Sequence, residues 1–104
     1  MVGTSQAGAT RPSQIAVTPD PVATHAAVTV DIYCLRPAEA PPLAPTATSP
    51  GFATSITLRE AGDGSTGGRA FRRTGTGPAT ATPGRYAVTY DCWRWVVRAE
   101  FVVS

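Results

Sequence analysis

The sequence predicts an all-β chain folded as a two-sheet antiparallel sandwich of about six to seven strands. Three observations carry this. No stretch of ten or more residues combines a 3.6-residue apolar period with helix-capping signals. Short segments of alternating apolar and polar residues recur, with Gly- and Pro-rich turns between them. Two cysteines fall at inward positions, one on an early strand and one on the next-to-last.

Residues 1–13 are rich in Gly, Ala, Thr and Ser, carry no apolar period, and read as a flexible leader to a domain spanning 14–104. Ile15 and Val17 alternate with small or polar neighbours before Pro19-Asp20-Pro21, which gives a short first strand stopped by turn residues. From Ala27 to Cys34 the alternation places Val28, Val30, Ile32 and Cys34 on one face and Thr29, Asp31 and Tyr33 on the other. Leu35 to Pro50 holds five prolines, whose missing N–H groups exclude a central strand and whose rings exclude a helix interior. This is a crossing segment with room for one short edge strand.

Ala53 to Glu60 alternates again through Ile56 and Leu58. The run from Gly62 to Gly68 then turns the chain into Arg69-Ala70-Phe71-Arg72-Arg73, and the two segments read as a hairpin. Thr74 to Pro83 is a polar stretch. The last two strands have opposite parity around a turn at Trp93-Arg94, which sets Cys92 opposite Trp95, Tyr90 opposite Val97, Val88 opposite Ala99 and Tyr86 opposite Phe101. In that register Trp95, Val97, Ala99, Phe101 and Val103 all point inward.

Composition narrows the chemistry. A 104-residue chain makes one domain with a thin core, burying about 60 to 70% of its unfolded surface. All 9 basic residues are Arg, dispersed among 7 acids for a net charge of +2, so no concentrated positive face for nucleic acid is expected. Lys and Asn are both absent, which removes Schiff-base and phosphate-loop lysines and N-linked glycosylation sites. No apolar run approaches the roughly 20 residues of a membrane-spanning helix, so no membrane insertion by this chain is expected. Two cysteines allow one disulfide or two thiols. An isolated, widely separated pair lacks zinc-site spacing, and a Cys34–Cys92 disulfide in an oxidising compartment is the reading adopted.

Pro83-Gly84-Arg85-Tyr86-Ala87-Val88-Thr89-Tyr90-Asp91-Cys92 carries a family resemblance. Tyr86, just after a Pro-Gly turn, looks like a tyrosine corner, and Tyr90 stands two residues before the second cysteine. With Val17 to Val22 and Val28 to Cys34, the stretch from Gln14 to Val103 is similar to immunoglobulin-like domains of secreted and wall-anchored actinobacterial proteins. The resemblance implies a non-catalytic module, secreted or at the cell surface, with Tyr86 and Tyr90 in structural roles. The sequence departs from the pattern in having Ala23-Thr24-His25-Ala26 where relatives carry a Gly-rich turn. It also has no Trp between its cysteines, which argues against an antibody-like core.

The candidate sites are few. Gly62-x-Gly64-x-x-Gly67 spells a dinucleotide fingerprint but leads into a strand, so it reads as a hairpin loop. His25 is the only histidine and reads as a solvated turn residue; the carboxylate pairs Glu60/Asp63 and Asp91/Glu100 read as surface charges, and no catalytic set, metal or cofactor is expected. Arg69, Arg72 and Arg73 read as a solvated strand edge. The strongest cluster is Trp93-Arg94-Trp95 with Arg98, because aromatic and Arg side chains at the end of a rigid hairpin anchor interfaces. Its competing reading is packing, with Trp95 capping the core over the disulfide and Trp93 covering one end. The expected function is a structural or protein-interaction module with a protein or cell-wall partner; the alternative is carbohydrate or small-ligand binding by exposed aromatics of the last hairpin.

Overall fold

A computed structural model describes residues 13–61 and 70–104. Residues 1–12 of the expected leader, and the loop with Gly62, Asp63, Gly64, Gly67 and Arg69, lie outside the described residues. Ser13, the last residue of that leader, accepts a hydrogen bond at its Oγ from the Leu35 N–H (3.0 Å).

Within the described residues the chain is all-β, with antiparallel sheets and no helix. Eight strands follow in order: β1 (Gln14–Thr18), β2 (Ala27–Leu35), β3 (Thr46–Ala47), β4 (Ile56–Thr57), β5 (Arg59–Glu60), β6 (Ala70–Pro78), β7 (Gly84–Cys92) and β8 (Trp95–Val103). They form a four-stranded sheet ordered β1-β2-β6-β5 and two pairs, β3-β4 and β7-β8. The count exceeds the expected six or seven because the segment around Ile56 and Leu58 splits. Its first half pairs with β3 and its second with β6, and buried Leu58 sits between them with its N–H on the Pro45 carbonyl (2.8 Å).

Alternation explains the β1-β2 and β7-β8 pairings. Val28, Val30, Ile32 and Cys34 are buried on β2, and Ile15 and Val17 on β1, in the register Ile15↔Ile32 and Val17↔Val30. Tyr33, placed on the outer face by its parity, is also buried; its pair partners on either side are Gln14 and Arg72, whose long side chains flank it. The β7-β8 register is Cys92↔Trp95, Tyr90↔Val97, Val88↔Ala99 and Tyr86↔Phe101, as the opposite parity of the two strands predicts. Cys34 of the first sheet and Cys92 of the second are disulfide-bonded at a Cα separation of 5.3 Å, both fully buried. Residues from both sheets and the β3-β4 pair form one core cluster, including Ile56, Phe52, Phe101 and Val103.

The polar stretch expected from Thr74 to Pro83 is strand as far as Pro78. β6 pairs with β2 along its whole length, from Leu35↔Ala70 to Ala27↔Pro78. The reason lies in two glycines. A Cβ at Gly75 would run into the Thr57 carbonyl oxygen and the Ile56 side chain, and one at Gly77 would stand 3.0 Å from Ile56 Cγ1. The bare inner face of this half-strand is therefore filled by Ile56 from β4.

The chain after β1 changes sheets. Val22 lies parallel to β8, donating to the Val102 carbonyl (2.9 Å) and accepting from the Ser104 N–H (2.8 Å). The Thr18-Pro19 and Asp20-Pro21 peptides in this crossing are cis, and Asp20 Oδ1 accepts the Val102 N–H (2.9 Å). His25 follows at φ 65° in the third position of a turn closed by Ala26 N–H on the Ala23 carbonyl, a place glycine fills without strain.

Tyr86 donates its hydroxyl to the Thr82 carbonyl four residues upstream (2.7 Å) while its ring leans on Phe101 (6.2 Å between centroids). The hydrogen bond ties the entry loop of β7 to the core. Tyr86→Phe keeps the ring and loses this exposed bond, so we expect a loss of about 0.5 to 1 kcal/mol, read as a fall of several degrees in thermal unfolding.

Among the described residues no helix is long and apolar enough to cross a membrane.

Candidate functional site

The turn joining β7 and β8 has only Trp93 and Arg94 between the paired residues Cys92 and Trp95. Trp93 takes φ 57°, the left-handed region that a tight hairpin turn requires and that a residue with a Cβ enters only at a cost. Its indole contacts offset that cost. Trp93 Nε1–H donates to the Pro41 carbonyl (2.7 Å), and the ring meets Phe71 edge-on at 5.9 Å. The Arg36 guanidinium lies 5.2 Å from the Phe71 centroid and 5.9 Å from that of Trp93.

A second set of donors continues the same pattern. Arg73 stands 5.0 Å from the Phe71 centroid and donates from Nη1 to the Ala44 carbonyl (3.1 Å), to which the Tyr90 hydroxyl also donates (2.5 Å). Burial pushes the Tyr90 hydroxyl above its ordinary pKa, with Arg73 opposing, so it stays a protonated donor at neutral pH. The segment from Pro37 to Pro45 lacks an N–H at each of its prolines and cannot extend a ladder. Side chains from β6, β7 and the turn hold it through its carbonyls instead.

Beside this strap lies a shallow groove of about 490 Å³ lined by Pro37, Ala38, Glu39, Pro41, Trp93 and Arg94. Its walls are apolar proline and indole faces, with the exposed Arg94 and Glu39 supplying one charge of each sign. Such a surface can clamp an extended or proline-containing polypeptide between aromatic and charged groups.

The four expected contact residues divide between two surfaces. Trp93 and Arg94 line this groove, whereas Trp95 and Arg98 line a second one of about 530 Å³ together with Ser13, Gln14, Ile15 and Leu35. Trp95 is 46% exposed, so it does not cap the core over the disulfide. Parity gives it an inward direction, but the place it points to lies beside the β1 margin, which leaves it uncovered. Trp93 is half-buried against Phe71 and the core. With Phe71 and Arg36 against its ring, its faces are poorly open for sugar stacking.

Arg72 and Arg73 are not on a strand edge, because β6 lies between β2 and β5, with Arg73 facing Ile32 on one side and Glu60 on the other. Asp91 and Glu100 stay apart, opposite Val96 and Ala87, and Glu100 pairs with Arg98 (2.9 Å) and Arg85 (3.7 Å). His25 is exposed on its turn. No group of three or more His, Cys, Asp or Glu placed to hold a metal occurs among the described residues. Sequence reasoning missed Arg36, Phe71, Pro41 and Arg73. The pairing Cys34↔Phe71 would have brought Phe71 and Arg36 to the hairpin end, had the β2-β6 register been derived.

Fold and site define a disulfide-bridged all-β domain with an aromatic and arginine cluster at one hairpin tip. No protein-family model matches the chain, and neither the curated proteins nor the solved structures provide a match.

Proposed function

We propose that this chain is a non-catalytic immunoglobulin-like module, secreted or at the cell surface, that serves a structural or protein-interaction role through its Trp93-Arg94 hairpin tip. The strand order β1-β2-β6-β5 supports the fold reading: with β4 counted as an extra strand beside β3, it is the order in which immunoglobulin domains place their first, second, fifth and fourth strands in one sheet. β3 beside β7-β8 corresponds to the second sheet, and the Cys34–Cys92 bond joins the two as the inter-sheet link does in that family. The buried disulfide also supports an oxidising compartment.

The observation that carries the functional reading is the preorganised tip. Trp93 is fixed by its hydrogen bond to Pro41 and by its aromatic and guanidinium neighbours, so a partner entering the adjoining groove meets a rigid indole at small entropic cost. A polypeptide or wall-linked protein segment suits this groove better than a sugar, given the cover over the indole.

The test is a pull-down with the disulfide-intact domain from culture supernatant and wall extract, followed by affinity measurement on each captured protein. Trp93→Ala and Arg94→Ala are each expected to weaken binding at least tenfold, with circular dichroism unchanged. Wild-type affinity in both folded variants would reject the tip as the contact surface.

A further inference from the structure

Among the described residues, the outer edge of β8 is filled only at its end. The two-residue turn makes Cys92 and Trp95 a hydrogen-bonded pair, so the odd-numbered residues of β8 bond to β7 and the even-numbered ones turn their N–H and C=O groups outward. Val102 and Ser104 use theirs on Asp20, Val22 and Thr24. Among the described residues, none bonds to the outward backbone groups of Val96, Arg98 or Glu100. The 530 Å³ groove runs along this open stretch, between Ser13–Ile15 and Trp95–Arg98. Trp95 and Val96, 46% and 66% exposed, are the large apolar side chains left uncovered among the described residues. An uncovered strand edge beside exposed apolar groups is a template for another strand.

We propose that this edge pairs with the same edge of a second copy, antiparallel, about a two-fold axis at Val97. Sterics and charge select the register. A strand laid along β8 must end before Val102, where Asp20 and Val22 already sit, so the incoming Trp93-Arg94 turn reaches no further than Glu100. With Arg94 of one copy opposite Glu100 of the other, Val96 faces Arg98, and these even-numbered pairs are complementary: opposite charges at the ends, and a valine against an arginine stem on either side of the axis. Sliding back by two residues sets Arg94 opposite Arg98. Sliding forward by two sets Arg98 opposite its own copy and drives the turn into Val22. Only one register avoids both faults, and it is isologous, as a two-fold dimer requires. The contact is small, about four backbone hydrogen bonds and the Trp95-Val96 patch, which places the dimer among weak, reversible associations.

Sedimentation equilibrium on the disulfide-intact full chain, from about 10 μM to about 1 mM, tests this. A monomer–dimer equilibrium is expected. Glu100→Arg should weaken it at least tenfold, and adding Arg94→Glu to the same chain should restore it to within about threefold. Arg98→Pro removes an outward N–H that β7 does not use, so it should abolish association while the thermal transition stays cooperative. A monomer at every concentration would overturn the proposal. So would a dimer indifferent to Glu100→Arg and Arg98→Pro, or a charge swap that restores nothing. A monomer whose Val96, Arg98 and Glu100 amides gain exchange protection only on adding an unrelated extended peptide would assign the edge to a foreign strand and equally overturn it.

Discussion

Replacing both cysteines, as Cys34→Ala/Cys92→Ala, is expected to lower stability by about 4 kcal/mol and the unfolding temperature by roughly 15 to 30 °C. The bond closes a loop of sequence separation 58, and in the loop-entropy account a closure of that size removes about that much freedom from the unfolded chain. The loss matters because a small domain holds only about 5 to 15 kcal/mol in all. Both half-cystines are fully buried between the β2 and β7 faces, so the alanines also forfeit contacts with both sheets. Differential scanning calorimetry of the variant beside the wild type decides the matter. A fall of less than about 5 °C would mean that apolar packing alone joins the sheets.

Phe101→Ala is expected to cost about 3 to 5 kcal/mol, the range for emptying a buried aromatic site. Phe101 is 1% exposed, stacks on Phe52 at 5.5 Å and meets the tilted ring of Tyr86. It also lies directly over Gly51, where a Cβ would run into Phe101 Cζ and stand 2.8 Å from Tyr86 Cβ. The aromatic trio thus closes over a bare stretch of backbone. Urea unfolding of the variant measures the loss, and Gly51→Ala in a Phe101→Leu background adds a cycle. Leucine has no Cζ, so Gly51→Ala should cost about 1 kcal/mol less there than in the wild type. Equal costs in both backgrounds would mean that the ring does not press on residue 51.

The β7-β8 hairpin was legible because its information is local: two strands of opposite parity and a two-residue turn leave one register that buries Val88, Tyr90, Val97 and Phe101 together. The second half of β6 was not. Thr74 to Gly77 carries no large apolar side chain, and what makes it a core strand is Ile56, a residue on another strand that occupies the space two glycines leave. Trp95 failed for a related reason. Parity states which way a side chain points but not whether anything lies there, and the cover over β8 depends on how far β1 runs. The candidate site was half legible. Trp93 and Arg94 stood out by residue type, whereas Arg36, Pro41 and Phe71 come from three separate segments joined only by tertiary pairing. The donors to the Ala44 carbonyl were hidden in the same way, because Tyr90 and Arg73 sit on β7 and β6, strands that do not pair with each other.

The short parallel clasp of Val22 on β8 gives the domain a mechanical character. Once β1 has been drawn off β2, a load through the two ends of the chain pulls Val22 and Val103 past one another, so their hydrogen bonds bear it together in shear and do not open one at a time. Should that clasp slip, the cystine arrests the extension, withholding roughly 200 Å of contour between residues 34 and 92. The molecule would then lengthen by a fixed amount, set by the chain outside the cystine loop, and stop.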